Sequence, residues 1–203
     1  MAIAGLGSVV LAVTWLAAHG GDVSDIEESL FRPVNDLPDW LEVPAWPLMQ
    51  LGALAFVPVA TLLVAYLWRR LDLTVSALSV GVVGWLAAKL VKEIVGRGRP
   101  ADLLADVVER PDWGGLGFVS GHAVIVFGLA TVVAPQLSPL GRVAMFAAAT
   151  ATGLLRIYTG AHLPYDVIGG AGLGVVLGAL AHLANRTFGH DATEQGTEAI
   201  ARD

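Results

Sequence analysis

Three short clusters of ionisable residues interrupt an otherwise apolar chain, and their residue types suit chemistry on an anion. The clusters are Lys92 with Arg99, then Ser120, Gly121 and His122, then Arg156, His162 and Asp166. Burying one Lys, Arg or Asp side chain at the centre of a membrane helix costs about 2.5–3.5 kcal/mol on insertion scales. We therefore expect these residues to serve a functional site.

The cationic residues, and the residues at the start of a predicted helix, offer hydrogen-bond donors for phosphate oxygens. Arg99 and Arg156 carry planar guanidinium groups that match two oxygens at once, and Lys92 adds a compact charge. Ser120 and Gly121 open a predicted helix, where unpaired backbone N–H groups and the helix dipole favour a negative group. The Ser120 hydroxyl can also donate, and Gly121 permits close approach of the backbone. Together they predict a site that stabilises charge on a transferred phosphoryl group.

Two histidines and one carboxylate supply a nucleophile and proton transfer. His162 and Asp166 are four residues apart and share a face if the turn at His162 is helical. The carboxylate would then fix the imidazole tautomer and leave the other ring nitrogen free to attack phosphorus. His122, on another helix, would protonate the leaving oxygen as general acid. Because His162 must be neutral while His122 is protonated, we expect a bell-shaped pH dependence.

The composition places these clusters in a membrane protein. The chain has 203 residues, of which 55% are hydrophobic and 15% charged, and its mean hydropathy is +0.67. Soluble domains carry about 25% charged residues. The net charge of −6 argues against a nucleic-acid partner, which would need a basic surface. The absence of cysteine excludes disulfides, a thiolate nucleophile and thiolate metal ligands.

Six apolar segments approach the ~20 residues that a membrane-spanning helix needs, within a range of about 17–25. They are Ala2–Ala18, Ala45–Trp68, Thr74–Val95, Ser120–Leu137, Arg142–Tyr158 and Pro164–Asn185. We therefore predict an all-α integral membrane domain over residues 1–186, followed by a disordered polar tail over 187–203. A signal peptide ending near Ala18 is the alternative for the first segment. No Lys or Arg precedes that segment, whereas a signal peptide normally has a basic start.

Short loops set the predicted orientation. Arg69 with Arg70, Arg142 and Arg186 lie in loops that the positive-inside rule assigns to the cytoplasm. Spans three and five then end, and spans four and six begin, on the extracytoplasmic side. All three clusters consequently meet at one membrane face, where the active site is expected at the ends of spans three to six.

Two other parts of the chain receive structural interpretations. Within the acidic connection 21–47, Val23–Leu30 is predicted to form a short helix with Ser24 as N-cap. This connection is expected to lie on the membrane as a lid or connector, and shaping the substrate entrance is the alternative. Lys89, Glu93 and Arg97, spaced by four, predict an ion-pair ladder along the third span. Contact of Arg97 with a second phosphate is the alternative for that residue.

The three clusters resemble the signature motifs of the type 2 phosphatidic acid phosphatase family. The matching stretches are KEIVGRGRP at Lys92–Pro100, VSGH at Val119–His122 and RIYTGAHLPYD at Arg156–Asp166. The resemblance covers about residues 48–185. The sequence departs from the family pattern at Val119, where Pro is usual, and at Leu155, where Ser is usual. Neither departure removes the nucleophile or a proton-transfer group.

The resemblance implies a membrane phosphatase that needs no metal and no cofactor. It implies a phosphohistidine on His162, with Asp166 as the partner of that histidine and His122 as general acid. It also implies phosphate binding by the remaining residues of the clusters, namely Lys92, Arg99, Ser120, Gly121 and Arg156.

The sequence thus predicts a multi-pass cell-membrane enzyme that hydrolyses a lipid phosphomonoester or diphosphate at the outer leaflet. A polyprenyl diphosphate is the first candidate, because a compact phosphate site facing outward suits a carrier lipid. Phosphatidic acid or phosphatidylglycerol phosphate comes next. The rival from another class is an anion or lipid transporter without hydrolysis, since charges within a membrane also mark ion pathways. A transporter would favour charges near the bilayer midplane and an inverted repeat, and we find neither pattern in the sequence.

Overall fold

The computed structural model describes the backbone of residues 2–110 and 114–200 and the side chains up to residue 185. Those residues form nine α-helices, joined by turns and short 3₁₀ segments, and contain no β-strand. The helices are α1 Ala2–Ala18, α2 Asp25–Asn35, α3 Glu42–Met49, α4 Val57–Trp68, α5 Leu71–Val95, α6 Pro100–Leu103, α7 Gly121–Val133, α8 Pro139–Tyr158 and α9 Pro164–Ile200. The all-α prediction is confirmed.

Within the described residues, three helical segments are long and apolar enough to cross a membrane. They are Leu71–Leu103, Pro139–Tyr158 and Pro164–Asn185. A fourth candidate is a pair of segments, Asp39–Gly52 and Leu54–Trp68, bent by 68° at the break between them. The predicted first and fourth spans correspond to shorter apolar helices, Ala2–Ala18 and Gly121–Gln136. The chain is therefore a membrane protein whose described residues contain three or four candidate spans, and six spans stay a prediction.

The predicted second span, Ala45–Trp68, is not one straight helix. Helix α3 gives way to a 3₁₀ turn at Gln50–Gly52, and Ala53 then adopts an extended conformation. Prolines punctuate both sides of the break, since Pro47 lies inside α3 and Pro58 lies in the first turn of α4. The break places Gly52 against helix α7, next to the site described below.

Helix α7 lies at the centre of the bundle and packs against α5, α8 and α9. Apart from His122, its residues are apolar or small on every side, a pattern typical of an enclosed helix, and most of them are buried. Glycines bring α9 into backbone contact with it. A Cβ atom at Gly170 would lie 2.6 Å from the carbonyl oxygen of Ser120, and one at Gly178 would lie 2.6 Å from Cβ of Thr131. The start of α7 is therefore held tightly against α9.

The helices that carry the three clusters meet at one end of the bundle. Lys92 lies in the last turn of α5, and Arg156 lies in the last turn of α8. His122 lies in the first turn of α7, and Asp166 lies in the first turn of α9. The backbone N–H of Ser120 donates to the carbonyl of Asp166 at 2.9 Å, which joins the two helix starts directly.

Helix α2 covers this end of the bundle and contacts α8 and α9. As predicted, Ser24 caps it, and its hydroxyl accepts the N–H of Glu27 at 3.2 Å. At the far end of α2, Asn35 is fully buried. Its Nδ2 donates to the carbonyls of Val108 at 2.8 Å and Tyr158 at 3.1 Å, and its Oδ1 accepts the N–H of Val108 at 2.9 Å. The connection 21–47 is thus anchored to the bundle.

The C-terminal segment is described for its backbone only, as far as Ile200. The helical backbone of α9 continues to Ile200. Side chains from residue 186 onwards, and all of residues 201–203, lie outside the described residues. The predicted polar tail at 187–203 therefore stays a prediction.

Candidate active site

A cleft of about 410 Å³ opens at the end of the bundle where the clusters meet. Six of the eight predicted site residues line it, namely Lys92, Arg99, Gly121, His122, Arg156 and His162. The other two, Asp166 and Ser120, are fully buried beside it. The convergence expected from counting spans is therefore present in the fold.

Backbone carbonyl groups hold two of the cations at the cleft. Nζ of Lys92 donates at 2.5 Å and 2.7 Å to two carbonyls of the connection 114–117. Nε of Arg99 donates to a third carbonyl of that connection at 2.9 Å, and its Nη1 donates to the carbonyl of Ala161 at 2.6 Å. Because carbonyls carry no formal charge, these contacts orient the cations without neutralising them.

Arg156 shapes the connection that carries the predicted nucleophile. Its carbonyl oxygen accepts the N–H groups of Ala161 and His162, both at 3.1 Å, so the chain turns back over the end of α8. Gly160 makes the turn with φ at +70°, a conformation that side chains disfavour. The Arg156 guanidinium lies 3.3 Å from the sulfur of Met49. One residue thus both lines the cleft and positions His162.

His162 and Asp166 lie side by side. Nδ1 of His162 is 3.4 Å from Oδ2 of Asp166, within ion-pair range, although no hydrogen bond is formed in this geometry. Catalytic hydrogen bonds are often long before substrate binds. Burial, and then the charges of Lys92 and Arg156, hold the pKa of His162 well below its ordinary value. The imidazole is therefore neutral near pH 7, as a nucleophile requires.

His122 packs against a residue that the sequence did not single out. A Cβ atom at Gly52 would lie 2.7 Å from Cβ of His122 and 2.9 Å from its Cδ2. Such contacts are closer than carbon atoms tolerate, so the glycine makes room for the imidazole. The bend between α3 and α4 thus forms one wall of the cleft.

Ser120 lies beside the cleft without lining it. It is the N-cap residue of α7, but its hydroxyl makes no capping bond. Its Oγ is buried without a hydrogen-bond partner among the described residues and does not line the cleft. Direct phosphate binding by Ser120 stays a prediction, whereas Gly121, the next residue, does line the cleft.

The prediction that Arg97 joins Lys89 and Glu93 in an ion-pair ladder is wrong. Helix α5 ends at Val95, and Gly96 has a φ of +66°, so Arg97 leaves the helix and turns inward. Its guanidinium pairs with Glu27 at 2.5 Å and with Asp166 at 3.2 Å. The alternative prediction, that Arg97 contacts a second phosphate, is also wrong, because the Arg97 side chain is buried between these carboxylates.

The other two members of the predicted ladder lie at the mouth of the cleft. Lys89 and Glu93 are exposed and line its rim. Nζ of Lys89 lies 4.6 Å from the ring centre of Trp85, a cation–π arrangement. The rim therefore offers one cation beyond the three inside the cleft.

The comparison with family models decides the family. The sequence model of the PAP2 superfamily matches residues 70–189, more than half of the chain. The chain belongs to the PAP2 superfamily. It is a phosphatase, and the family match together with the two solved structures described below supports a membrane lipid phosphatase. The resemblance found in the three clusters is confirmed.

Two solved structures share the fold. LpxE from Aquifex aeolicus superposes with a TM-score of 0.72 at 25% sequence identity, covering 79% of this chain and 96% of that chain. The first transmembrane PAP2-type phosphatidylglycerolphosphate phosphatase from Bacillus subtilis superposes with a TM-score of 0.71 at 21% identity. That alignment covers 92% of this chain and 98% of the other. A comparison with curated proteins finds no match.

Proposed function

We propose that this PAP2 protein hydrolyses a lipid phosphomonoester or diphosphate through a phosphohistidine on His162. The observation that carries the proposal is the placement of a neutral, buried imidazole in one cleft with three cationic side chains. These cations, Lys92, Arg99 and Arg156, neutralise the transferred phosphoryl group, whose charge is spread over its outer oxygens.

The reaction has two displacements. In the first, Nε2 of His162 attacks the terminal phosphorus, and the bond from that phosphorus to the leaving oxygen breaks. That oxygen belongs to the lipid alcohol in a phosphomonoester and to the lipid monophosphate in a diphosphate, and His122 gives it a proton. In the second, water attacks the phosphohistidine, His122 takes the proton from the water, and the P–N bond breaks to release phosphate. Asp166, at Nδ1, holds the ring and balances the positive charge that develops on it.

Charge stabilisation in this scheme comes from side chains and from the start of helix α7. No step needs a metal ion or a cofactor. Phosphate release is therefore expected to continue in EDTA, and loss of activity on chelation that a divalent cation restores would overturn this part of the proposal.

For the substrate, the first candidate is a polyprenyl diphosphate. Three cations in the cleft and Lys89 on its rim supply enough positive charge for two phosphates, while the cleft of about 410 Å³ suits a small headgroup. Phosphatidic acid and phosphatidylglycerol phosphate come next. If a diphosphate is the substrate, Lys89→Ala should raise its KM more than that of a monophosphate. Equal KM changes for both would favour a monophosphate.

We also propose that the chain spans the cell membrane six times, with the cleft on the extracytoplasmic side. Arg69, Arg70 and Arg142 lie at the opposite end of the bundle, in agreement with the positive-inside rule.

The chain has no cysteine, so single-cysteine variants report topology directly. Ala101→Cys, near the cleft, should react with a membrane-impermeant maleimide in intact cells. Leu140→Cys, exposed at the start of α8, should react only after lysis. The reverse pattern would overturn the orientation.

Phosphate release from lipid phosphates in detergent with EDTA tests the proposed chemistry. The wild type should release phosphate, and His162→Ala should not. Acid-labile, base-stable phosphate on the wild-type protein after a rapid quench would identify the phosphohistidine. Full activity in His162→Ala would eliminate the mechanism.

A further inference from the structure

We infer that Glu27 and Arg97 are positioning residues for the phosphatase reaction, which hold Asp166 in place against His162 through buried ion pairs. The inference rests on the proposed role of His162 as nucleophile. Glu27 comes from helix α2, outside residues 70–189 that match the superfamily. The N-terminal connection would then be part of the catalytic apparatus, beyond its place as a cover.

The ion pairs form a continuous chain from α2 to the nucleophile. Nη1 and Nη2 of Arg97 contact Oε1 and Oε2 of Glu27 at 3.1 Å and 2.5 Å, a two-pronged arrangement. Nη1 also contacts Oδ1 of Asp166 at 3.2 Å, while Oδ2 of Asp166 faces His162 at 3.4 Å. The Glu27, Arg97 and Asp166 side chains have no exposed surface.

Glu27 also fixes the backbone that carries Asp166. Its Oε1 accepts the N–H of Tyr165 at 2.9 Å, in the first turn of α9. The hydroxyl of Ser24 accepts the backbone N–H of Glu27, which sets the place of Glu27 in the first turn of α2. One carboxylate therefore orients both the residue before Asp166 and the guanidinium beside it.

The net charge of the Glu27, Arg97 and Asp166 side chains favours the reaction. Two carboxylates face one guanidinium, so this group carries a net charge of −1 next to the imidazole. That charge stabilises the positive imidazole formed when Nε2 bonds to phosphorus. Buried ion pairs are often no more stabilising than apolar contacts of equal size, so stability alone gives a weak reason for this arrangement.

Loss of Glu27 would change how Arg97 binds Asp166. With no carboxylate on its other side, the guanidinium would be free to take both oxygens of Asp166 and draw them away from Nδ1 of His162. The net charge of the group would also fall to zero. Neither Glu27 nor Arg97 lines the cleft, so substrate binding should change little while the chemical step slows.

The test compares Glu27→Gln with Glu28→Gln in the full-length protein, on dioleoyl phosphatidic acid in detergent micelles. Glu28 is the matched control, because it pairs with Arg32 on the same helix but is partly exposed. Glu27→Gln should lower kcat by about tenfold or more with KM within about twofold, and Glu28→Gln should leave both unchanged. Arg97→Lys, which keeps the charge but cannot contact both carboxylates in the same way, should lower kcat similarly.

A double-mutant cycle separates positioning from a merely structural role. In an Asp166→Asn background, Glu27→Gln should cause less than about a twofold further loss, because the group through which it acts has been removed. Loss by the same factor in both backgrounds, a change confined to KM, or no change in Glu27→Gln would overturn the inference. If Glu27→Gln does not fold, Arg97→Lys enters the same cycle and decides by the same criterion.

The outcomes also distinguish this inference from the proposed function. An active wild type, an inactive His162→Ala and an unaltered Glu27→Gln would remove the inference alone. Full activity in His162→Ala would remove the proposed mechanism and the inference with it.

Discussion

Oδ2 of Asp166 lies 3.4 Å from Nδ1 of His162 and at the same time accepts the backbone N–H of Leu163 at 2.9 Å. The carboxylate therefore holds the residue that follows His162 as well as facing its ring. Among the residues that the structure describes, Nδ1 of His162 has no hydrogen-bond partner in this geometry. A small rotation of the ring would complete the bond, which makes Asp166 the natural acceptor for the Nδ1 proton.

The exchange of Asp166 for Asn tests this relationship. Asp166→Asn keeps the shape but removes the charge that would balance a positive imidazole, so kcat should fall by about 10²–10⁴-fold. Phosphate release under saturating lipid gives the measurement. Asp72→Asn is the control, because Asp72 forms an exposed pair with Arg70 at the other end of the bundle. A loss of less than threefold in Asp166→Asn would contradict the assignment.

The pH dependence follows from the lowered pKa of His162. Its attack requires the unprotonated ring, and a lowered pKa keeps the ring unprotonated as the pH falls through the ordinary histidine value of about 6.5. The acid limb of kcat/KM should therefore lie below about pH 6.5, while the alkaline limb reports the general acid, proposed as His122. Rates on a short-chain lipid phosphate between about pH 4 and pH 9 measure both limbs. A flat profile, or an acid limb above about pH 6.5, would contradict the scheme.

Gly52 should be intolerant of a side chain. A Cβ atom there would lie 2.7 Å from Cβ of His122, so Gly52→Ala must displace the proposed general acid or the bend that carries the alanine. We expect kcat to fall by about tenfold or more while the protein still folds. Gly5→Ala is the control, because a Cβ atom at Gly5 would have no neighbour within 4 Å among the described residues. Equal activity in both variants would contradict this prediction, because it would show that the bend at Gly52 can accommodate a Cβ atom without displacing His122.

Asn35 should stabilise the fold without taking part in the chemistry. Asn35→Ala leaves the N–H and carbonyl of Val108 without that partner, and burying an unpaired polar group costs about 1–3 kcal/mol. The midpoint of thermal unfolding in detergent should therefore fall clearly. Asp36→Ala, at the exposed neighbouring position, should have little effect. An unchanged midpoint in Asn35→Ala would show that water replaces these bonds.

The cavity-lining residues were predictable because local rules govern their positions. Apolar runs predict helices, and charges at the ends of those runs must lie at one face or the other. Lys92, His122 and Arg156 therefore reached the same cleft in the prediction and in the structure. The spacing of four between His162 and Asp166 predicted that they would lie side by side if the turn at His162 were helical. They do lie side by side, but α9 begins only at Pro164, so His162 reaches Asp166 from the preceding connection.

Other features depend on contacts between distant parts of the chain. Glu27 and Arg97 are separated by 70 positions, and periodicity within one helix predicts only neighbours three or four residues away. For that reason the prediction of an ion-pair ladder failed at Arg97: the left-handed turn at Gly96 ends the helix and directs the Arg97 side chain inward. The burial of Ser120 is also outside the reach of such local rules, because α9 approaches its backbone closely: a Cβ atom at Gly170 would lie 2.6 Å from the carbonyl oxygen of Ser120.

The amino-acid sequence by itself determined the helical membrane class, the three clusters and the chemistry they can perform. These follow from composition, from the energetic cost of charge in lipid and from spacing along single helices. Only the tertiary structure decided that Ser120 and Asp166 are buried beside the cleft without lining it, that Gly52 shapes one wall and that the N-terminal connection supplies Glu27. Those outcomes depend on how helices distant in sequence approach one another, and close packing of side chains sets that approach.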